Sequence, residues 1–204
     1  MTQPSKRLVD NEQVVKVQAV VIGASAGGVD ALLKLLSGLP ERFRLPVITV
    51  LHMPANRKSK LIEIFQSRSA LPVREAADKA AIEPGVIYFA GPGYHLSIET
   101  DRTFSLSCEA SVHFARPAID VLMESAADAY GHALAGILLT GANYDGAAGL
   151  AKIHRYGGLT VVQDPLEAQV PTMPEAAIRL SQPDLILRLN DIRSLLIQLG
   201  RNSC

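Results

Sequence analysis

Cysteine is scarce in this 204-residue chain: Cys108 and the terminal Cys204 are the only two. They form no metal-ligand spacing and suggest no disulfide framework, so a reducing compartment is the expected setting. Charge of one sign is lacking as well, because 20 Lys and Arg residues balance 20 Asp and Glu residues. With no basic excess, nothing draws the chain to nucleic acid or to an anionic membrane, and both partners are set aside. No apolar stretch approaches the ~18 residues needed to span a bilayer. The opening "MTQPSKRLVDNEQ" lacks the apolar region of a secretory signal. A cytoplasmic protein with no direct membrane insertion is expected. Repeats, low-complexity tracts and linkers are absent too. The reading is therefore a flexible polar lead over residues 1–16 and a single domain over 17–204, long enough to bury a substantial core.

What the chain does have is a series of compact Val-, Ile- and Leu-rich runs: "VQAVVI" (17–22), "PVITVL" (46–51), "VIYFA" (86–90), "ALAGILL" (133–139), "LTVVQ" (159–163) and "DLILR" (184–188). Continuous apolar runs suit strands buried on both faces of a parallel sheet. Helical patterns fall between most of them, at 29–39, 58–68, 117–130, 146–156 and 173–180. Pro117 stands at a favoured first helical position, and a last helix is expected over 191–199 with Asn190 as its cap. "HLSIE" (95–99) and "TFSLS" (103–107) alternate around a turn, which reads as an antiparallel hairpin that makes the sheet mixed at one edge. The expected fold is α/β: a three-layer α/β/α sandwich around a mostly parallel doubly wound sheet. Ligands of such sheets sit beyond the carboxyl ends of the strands.

At the end of the first strand stands "GASAGG", residues 23–28. A dinucleotide fingerprint would need a second glycine where Ser25 is, and an acidic residue after the second strand where "VLHMP" offers His52. A P-loop fails because no Gly-Lys-Ser/Thr follows. One alternative is an ordinary strand-to-helix turn in which Ser25 satisfies helix amides. The other is a nucleophile elbow: residues 23–27 spell G-x-S-x-G between a strand and a helix, with small neighbours that leave the hydroxyl exposed. Amides at the start of the following helix would then face an oxyanion.

A nucleophilic serine needs a base. His52 follows the second strand as Ser25 follows the first, and adjacent strands lie ~4.8 Å apart. A hydrogen-bonded loop histidine is the plainer alternative. His132 and His154 are poorly placed, whereas His95 and His113, at the hairpin and its exit, stand as rim residues. The orienting carboxylate has two candidates at strand ends. Asp145 in "LLTGANYDGAAG" is favoured for its long glycine-bracketed loop, and Asp164 in "VVQDP" stays open. Each has a bland alternative, as helix cap or turn residue.

Taken in order, "VVIGASAGGVDAL", "VLHMP", "ARPAIDVLMESAA", "GILLTGANYDGAAGL" and "MPEAAI" resemble the catalytic domain of the chemotaxis receptor methylesterases, the CheB type, from residue 17 to the final helix. That resemblance implies a Ser-His-Asp hydrolase on a mostly parallel α/β sheet. Its members hydrolyse glutamate γ-methyl esters on chemoreceptors, releasing methanol, and also deamidate certain receptor glutamines. It places the nucleophile on Ser25, the base on His52 and the aspartate on Asp145 rather than Asp164. Arg116 matches a family arginine expected to hold the substrate loop, with a surface or capping arginine as the alternative. Two departures stand out: Ala26 where the family commonly has threonine, and Ala142-Asn143-Tyr144 where it reads M-G-x. The amides of Ala26 and Ala142 remain as oxyanion donors; if the family's threonine hydroxyl is also a donor, its absence here lowers activity, since loss of one such donor costs roughly 100- to 1000-fold in rate. Tyr144 is expected to reshape the substrate groove.

The resemblance implies no metal or organic cofactor. Its partners are methylated chemoreceptor signalling helices, with a separate response regulator or kinase as a further candidate, since only the polar lead stands where the family's receiver domain would be. The rival functions are a low-activity or non-catalytic module that binds a receptor or signalling partner, and a serine hydrolase or amidase with another substrate.

Overall fold

The computed structural model describes residues 16–52 and 60–201. The expected lead, the Met53 and Pro54 of "VLHMP", the start of the predicted 58–68 helix and Cys204 therefore lie outside the described residues, save Lys16 of the lead.

Seven strands form one wholly parallel sheet in the order β3-β4-β2-β1-β7-β8-β9. They are β1 (Ala19–Ala24), β2 (Val47–Leu51), β3 (Val73–Glu75), β4 (Ile87–Phe89), β7 (Leu134–Leu138), β8 (Leu159–Gln163) and β9 (Leu185–Leu187). The uninterrupted apolar runs are explained by burial on both sides, since alternate residues of a strand point to opposite faces. Val20, Ile22 and Ala24 join one core cluster with Leu32, Leu35, Phe65, Ile192 and Leu196. Ala19 and Val21 join the other with Ile119, Leu122, Met123, Leu150 and Met173. The first face carries α1 (Gly28–Leu36), α2 (Leu61–Gln66) and α6 (Leu189–Arg201); the second carries α3 (Ile119–Tyr130), α4 (Ala147–Arg155) and α5 (Thr172–Ser181). This is the expected three-layer α/β sandwich.

The structure corrects four details. The hairpin β5 (His95–Ile98) and β6 (Phe104–Ser107) is antiparallel as read, but it forms its own two-stranded sheet, so the main sheet is not mixed at an edge. It is held by packing: Leu96, Ile98 and Phe104 enter the second core cluster, and the Ile98 N–H donates to Ser125 Oγ of α3 at 3.1 Å. Strand β3, with only Val73 buried, carries too short and polar a pattern to be read. Asn190 lies inside α6 rather than capping it. Helix α3 begins at Ile119, two residues after Pro117, with Ala118 at its N-cap position.

Central β1 has β2 on one side and β7 on the other. The chain leaves β1 through α1 on one face and enters β7 after α3 on the opposite face, so the carboxyl end of β1 is the switch point where an α/β sheet opens a crevice.

Candidate active site

The sheet's hydrogen-bond ladder continues one step beyond the strand ends. The Ser25 N–H donates to the Thr140 carbonyl at 3.0 Å, and the His52 N–H donates to the Ala24 carbonyl at 3.0 Å. Since Ala24 pairs with Leu51, Ser25 and His52 follow in register on neighbouring strands, ~4.8 Å apart by sheet geometry. Immediately after Ser25 the chain turns sharply. The Gly28 N–H donates to the Ser25 carbonyl at 2.8 Å, and Gly27 takes φ 79° at the N-cap position of α1, a left-handed conformation that suits glycine. A Cβ on Gly27 would also lie 2.6 Å from Gln169 Oε1. Apart from Gly28, whose N–H is taken by the Ser25 carbonyl, the first-turn amides of α1 carry no side-chain cap among the described residues and stand where an anion beside Ser25 would meet them.

Asp145 reaches the same point from the loop after β7. Its Oδ2 lies 2.8 Å from His52 Nε2, with the His52 side chain 13% exposed and that of Asp145 fully buried. The same Oδ2 accepts the Ile119 N–H at 2.7 Å, and Oδ1 accepts the Asp120 N–H at 2.9 Å. Asp145 thus caps α3 from a distant loop and leaves α4, which follows it, to a left-handed Gly146. Burial works to raise its pKa, but the His52 hydrogen bond and the two amides outweigh it, so the carboxyl is held below the usual aspartate value of 3.8. An ionised Asp145 makes Nε2 the protonated nitrogen of His52 and leaves Nδ1 as the basic one.

Thr140 and Gln163 brace the turn. Thr140 Oγ1 lies 2.9 Å from the Ala26 carbonyl and accepts the Val170 N–H at 2.9 Å. Gln163 Oε1 accepts the Thr140 N–H at 2.9 Å.

The remaining sequence candidates separate. Ala26 and Ala142 are exposed at the strand ends. Tyr144 is 57% exposed and stacks edge-on against His113, with ring centroids 4.6 Å apart. Arg116 turns to its own loop, where Nη1 donates to the carbonyls of Cys108 and Glu109 at 3.0 Å each; it fastens the segment leaving β6. Asp164 stays away from the site, accepting the Leu166 N–H at 2.9 Å as a turn residue does. His95 is buried between the Ala118 N–H and the Ala110 carbonyl, and His154 lies by Asp184.

Sequence reasoning missed Asp120. It is almost fully buried at the start of α3, accepting the Gly149 N–H at 2.7 Å and facing His113 Nε2 at 3.1 Å. A buried acid in the first turn of an otherwise apolar helix face was the available signal. His113, Asp120 and Asp145 each place one ligand-type atom within 4.8 Å of the others. The donor set does not suit a resident cation, because every oxygen of both carboxylates already accepts a hydrogen bond from this chain or faces a histidine.

Three comparisons bear on this arrangement. A family model described as CheB methylesterase matches residues 20–196. A relative from Leptospira interrogans is 45% identical over 186 residues, 91% of this chain and 96% of its own length. Proteins named protein-glutamate methylesterase/protein-glutamine glutaminase from Clostridium acetobutylicum and Trichodesmium erythraeum are 32% and 35% identical. This chain covers about half of each of those two, 54% and 53%. Among solved structures, the Thermotoga maritima CheB methylesterase catalytic domain matches with a TM-score of 0.85 at 32% identity, covering 90% of this chain and 98% of that one.

Proposed function

Because the chain belongs to the CheB methylesterase family, we propose that it is a protein-glutamate methylesterase acting on chemoreceptors through Ser25, His52 and Asp145. The observation that carries this reading is the 2.8 Å bond between His52 Nε2 and a buried Asp145, one strand away from a serine on a glycine-rich elbow.

The chemistry follows the residues. Ser25 Oγ attacks the γ-carbonyl carbon of a methylated glutamate while His52 Nδ1 takes its proton. Asp145 stays ionised and stabilises the imidazolium. First-turn amides of α1, with those of Ala26 and Ala142, receive the tetrahedral oxyanion. The intermediate collapses, the methoxy group leaves with the proton from His52 as methanol, and an acyl-Ser25 remains. Water, deprotonated by His52, hydrolyses that ester and returns glutamate and free serine. A glutamine γ-amide passes through the same steps with ammonia as leaving group, in keeping with the double names of the relatives. The substrates are receptor signalling helices, which puts the protein in the cytoplasm, and the catalytic unit is residues 17–204.

Ser25→Ala is expected to lower methanol release from methylated receptor by at least ~1000-fold; release equal to the parent's would exclude the assignment. A serine-directed fluorophosphonate separates the enzyme from an inert binding module. Ser25 is labelled in the parent and not in His52→Ala.

A further inference from the structure

Behind the His52–Asp145 pair stands a second histidine–aspartate pair that the mechanism above does not use. Asp120 joins the two. Its backbone N–H donates to Asp145 Oδ1 at 2.9 Å, and its own Oδ2 faces His113 Nε2 at 3.1 Å. Its Oδ1 is fixed by the Gly149 N–H, and its carboxylate approaches that of Asp145 within 4.8 Å. We propose that Asp120, held by His113, is a positioning residue of the esterase site: it locks Asp145 in place and sets the charge that Asp145 presents to His52. This rests on the functional reading above.

The argument is electrostatic. Two carboxylates this close in a buried site compete for ionisation. Asp145 has the His52 proton and two amides on its side and keeps its charge. Asp120 is left to take the proton, and burial followed by the neighbouring Asp145 charge raises it to about 6, against the Gly149 amide and His113, which lower it. As pH falls toward 6, Asp120 is the carboxyl that gains the proton while Asp145 remains ionised. Above 6, an ionised Asp120 adds a second negative charge within 4.8 Å of the Asp145 carboxylate that His52 faces. The other groups facing Asp120 are Glu124 on its own helix and Arg179 of α5, across a cavity of about 430 Å³ shared with His113 and Tyr144. His95 of the hairpin packs on the same helix start through the Ala118 N–H.

Two measurements test this. In the first, fluorophosphonate labelling of Ser25 is followed against pH in the parent and in Asp120→Asn, which keeps the shape and removes the charge. The acid limb is expected to move to lower pH by about one unit, whether or not the plateau also falls. A lower plateau with an unmoved limb is what simple structural support gives, and it would overturn the proposal. In the second, the side-chain carboxyl of Asp120 is titrated by carbon-13 NMR in the parent and in Asp145→Asn. The midpoint is expected at about 6 in the parent and about half a unit lower or more once the second charge is gone. A midpoint indifferent to Asp145→Asn overturns the proposal. The titration needs no turnover, so a parent that fails to label defeats the functional reading while the titration still decides this one.

Discussion

Thr140 shows how one hydroxyl can hold the turn at Ser25 in shape. It is buried, bridges the Ala26 carbonyl to the segment at Val170, and offers its own carbonyl to the Ser25 N–H. Thr140→Val conserves volume and removes only the hydroxyl, leaving the Val170 amide and the Ala26 carbonyl short of a partner. Such a loss costs about 1–3 kcal/mol, to be read as a lower midpoint in urea unfolding, and Ser25 labelling should slow because the elbow is no longer braced. The residues differ in how readable they were. Ser25 and His52 stand beside strand ends that their own neighbours announce. Asp145 competed with Asp164 because local sequence could not say which loop reaches over a neighbouring strand. Asp120 was hidden because its partners, Asp145 and Gly149, lie 25 and 29 residues away, and nothing in a 3.6-residue pattern registers that distance. Arg116 matched a family motif, yet its guanidinium is spent on backbone carbonyls of its own loop.

At the scale of elements, strands set the distances and helix starts set the charge. Placement of Ser25 and His52 follows from the ladder between β1 and β2, so their separation is a property of the sheet rather than of two loops. The third group depends on a tight crossing of the Asp145 loop over α3. Gly146 sits there at φ 93°, where a Cβ would fall 2.5 Å from Leu138 Cδ1 and 2.7 Å from Ile119 Cγ2. Gly146→Ala therefore combines backbone strain with a clash against the start of α3. It should cost about 2 kcal/mol or more by thermal unfolding, with a larger proportional loss of activity because Asp145 is the adjacent residue. The long apolar runs were legible as strands for the physical reason that both their faces are buried. The hairpin was legible as a hairpin, but its place was not, because antiparallel alternation says nothing about whether the next ladder continues or a helix surface takes over.

For the whole molecule, the two buried carboxyls pull pH dependence in opposite directions. Asp145 has a lowered pKa, so it contributes stability above the unfolded value of 3.8 that is lost as pH falls through its folded pKa. Asp120 has a raised one, so its contribution is present below 3.8 and is lost as pH rises through about 6. Burial and the neighbouring Asp145 charge therefore make ionised Asp120 unfavourable in the folded protein near neutrality. Asp120→Asn removes that cost. It should melt no lower than the parent at pH 7.5 and lose this relative advantage at pH 4.5, as scanning calorimetry at the two pH values would show. The exchange of partners between α3 and α4 has one more consequence. Asp145, from the loop before α4, holds the Ile119 and Asp120 amides, and Asp120 of α3 holds the Gly149 amide. In heavy water these three protons should therefore be released together rather than one by one, and their common exchange rate serves as a clock for how often the site comes apart.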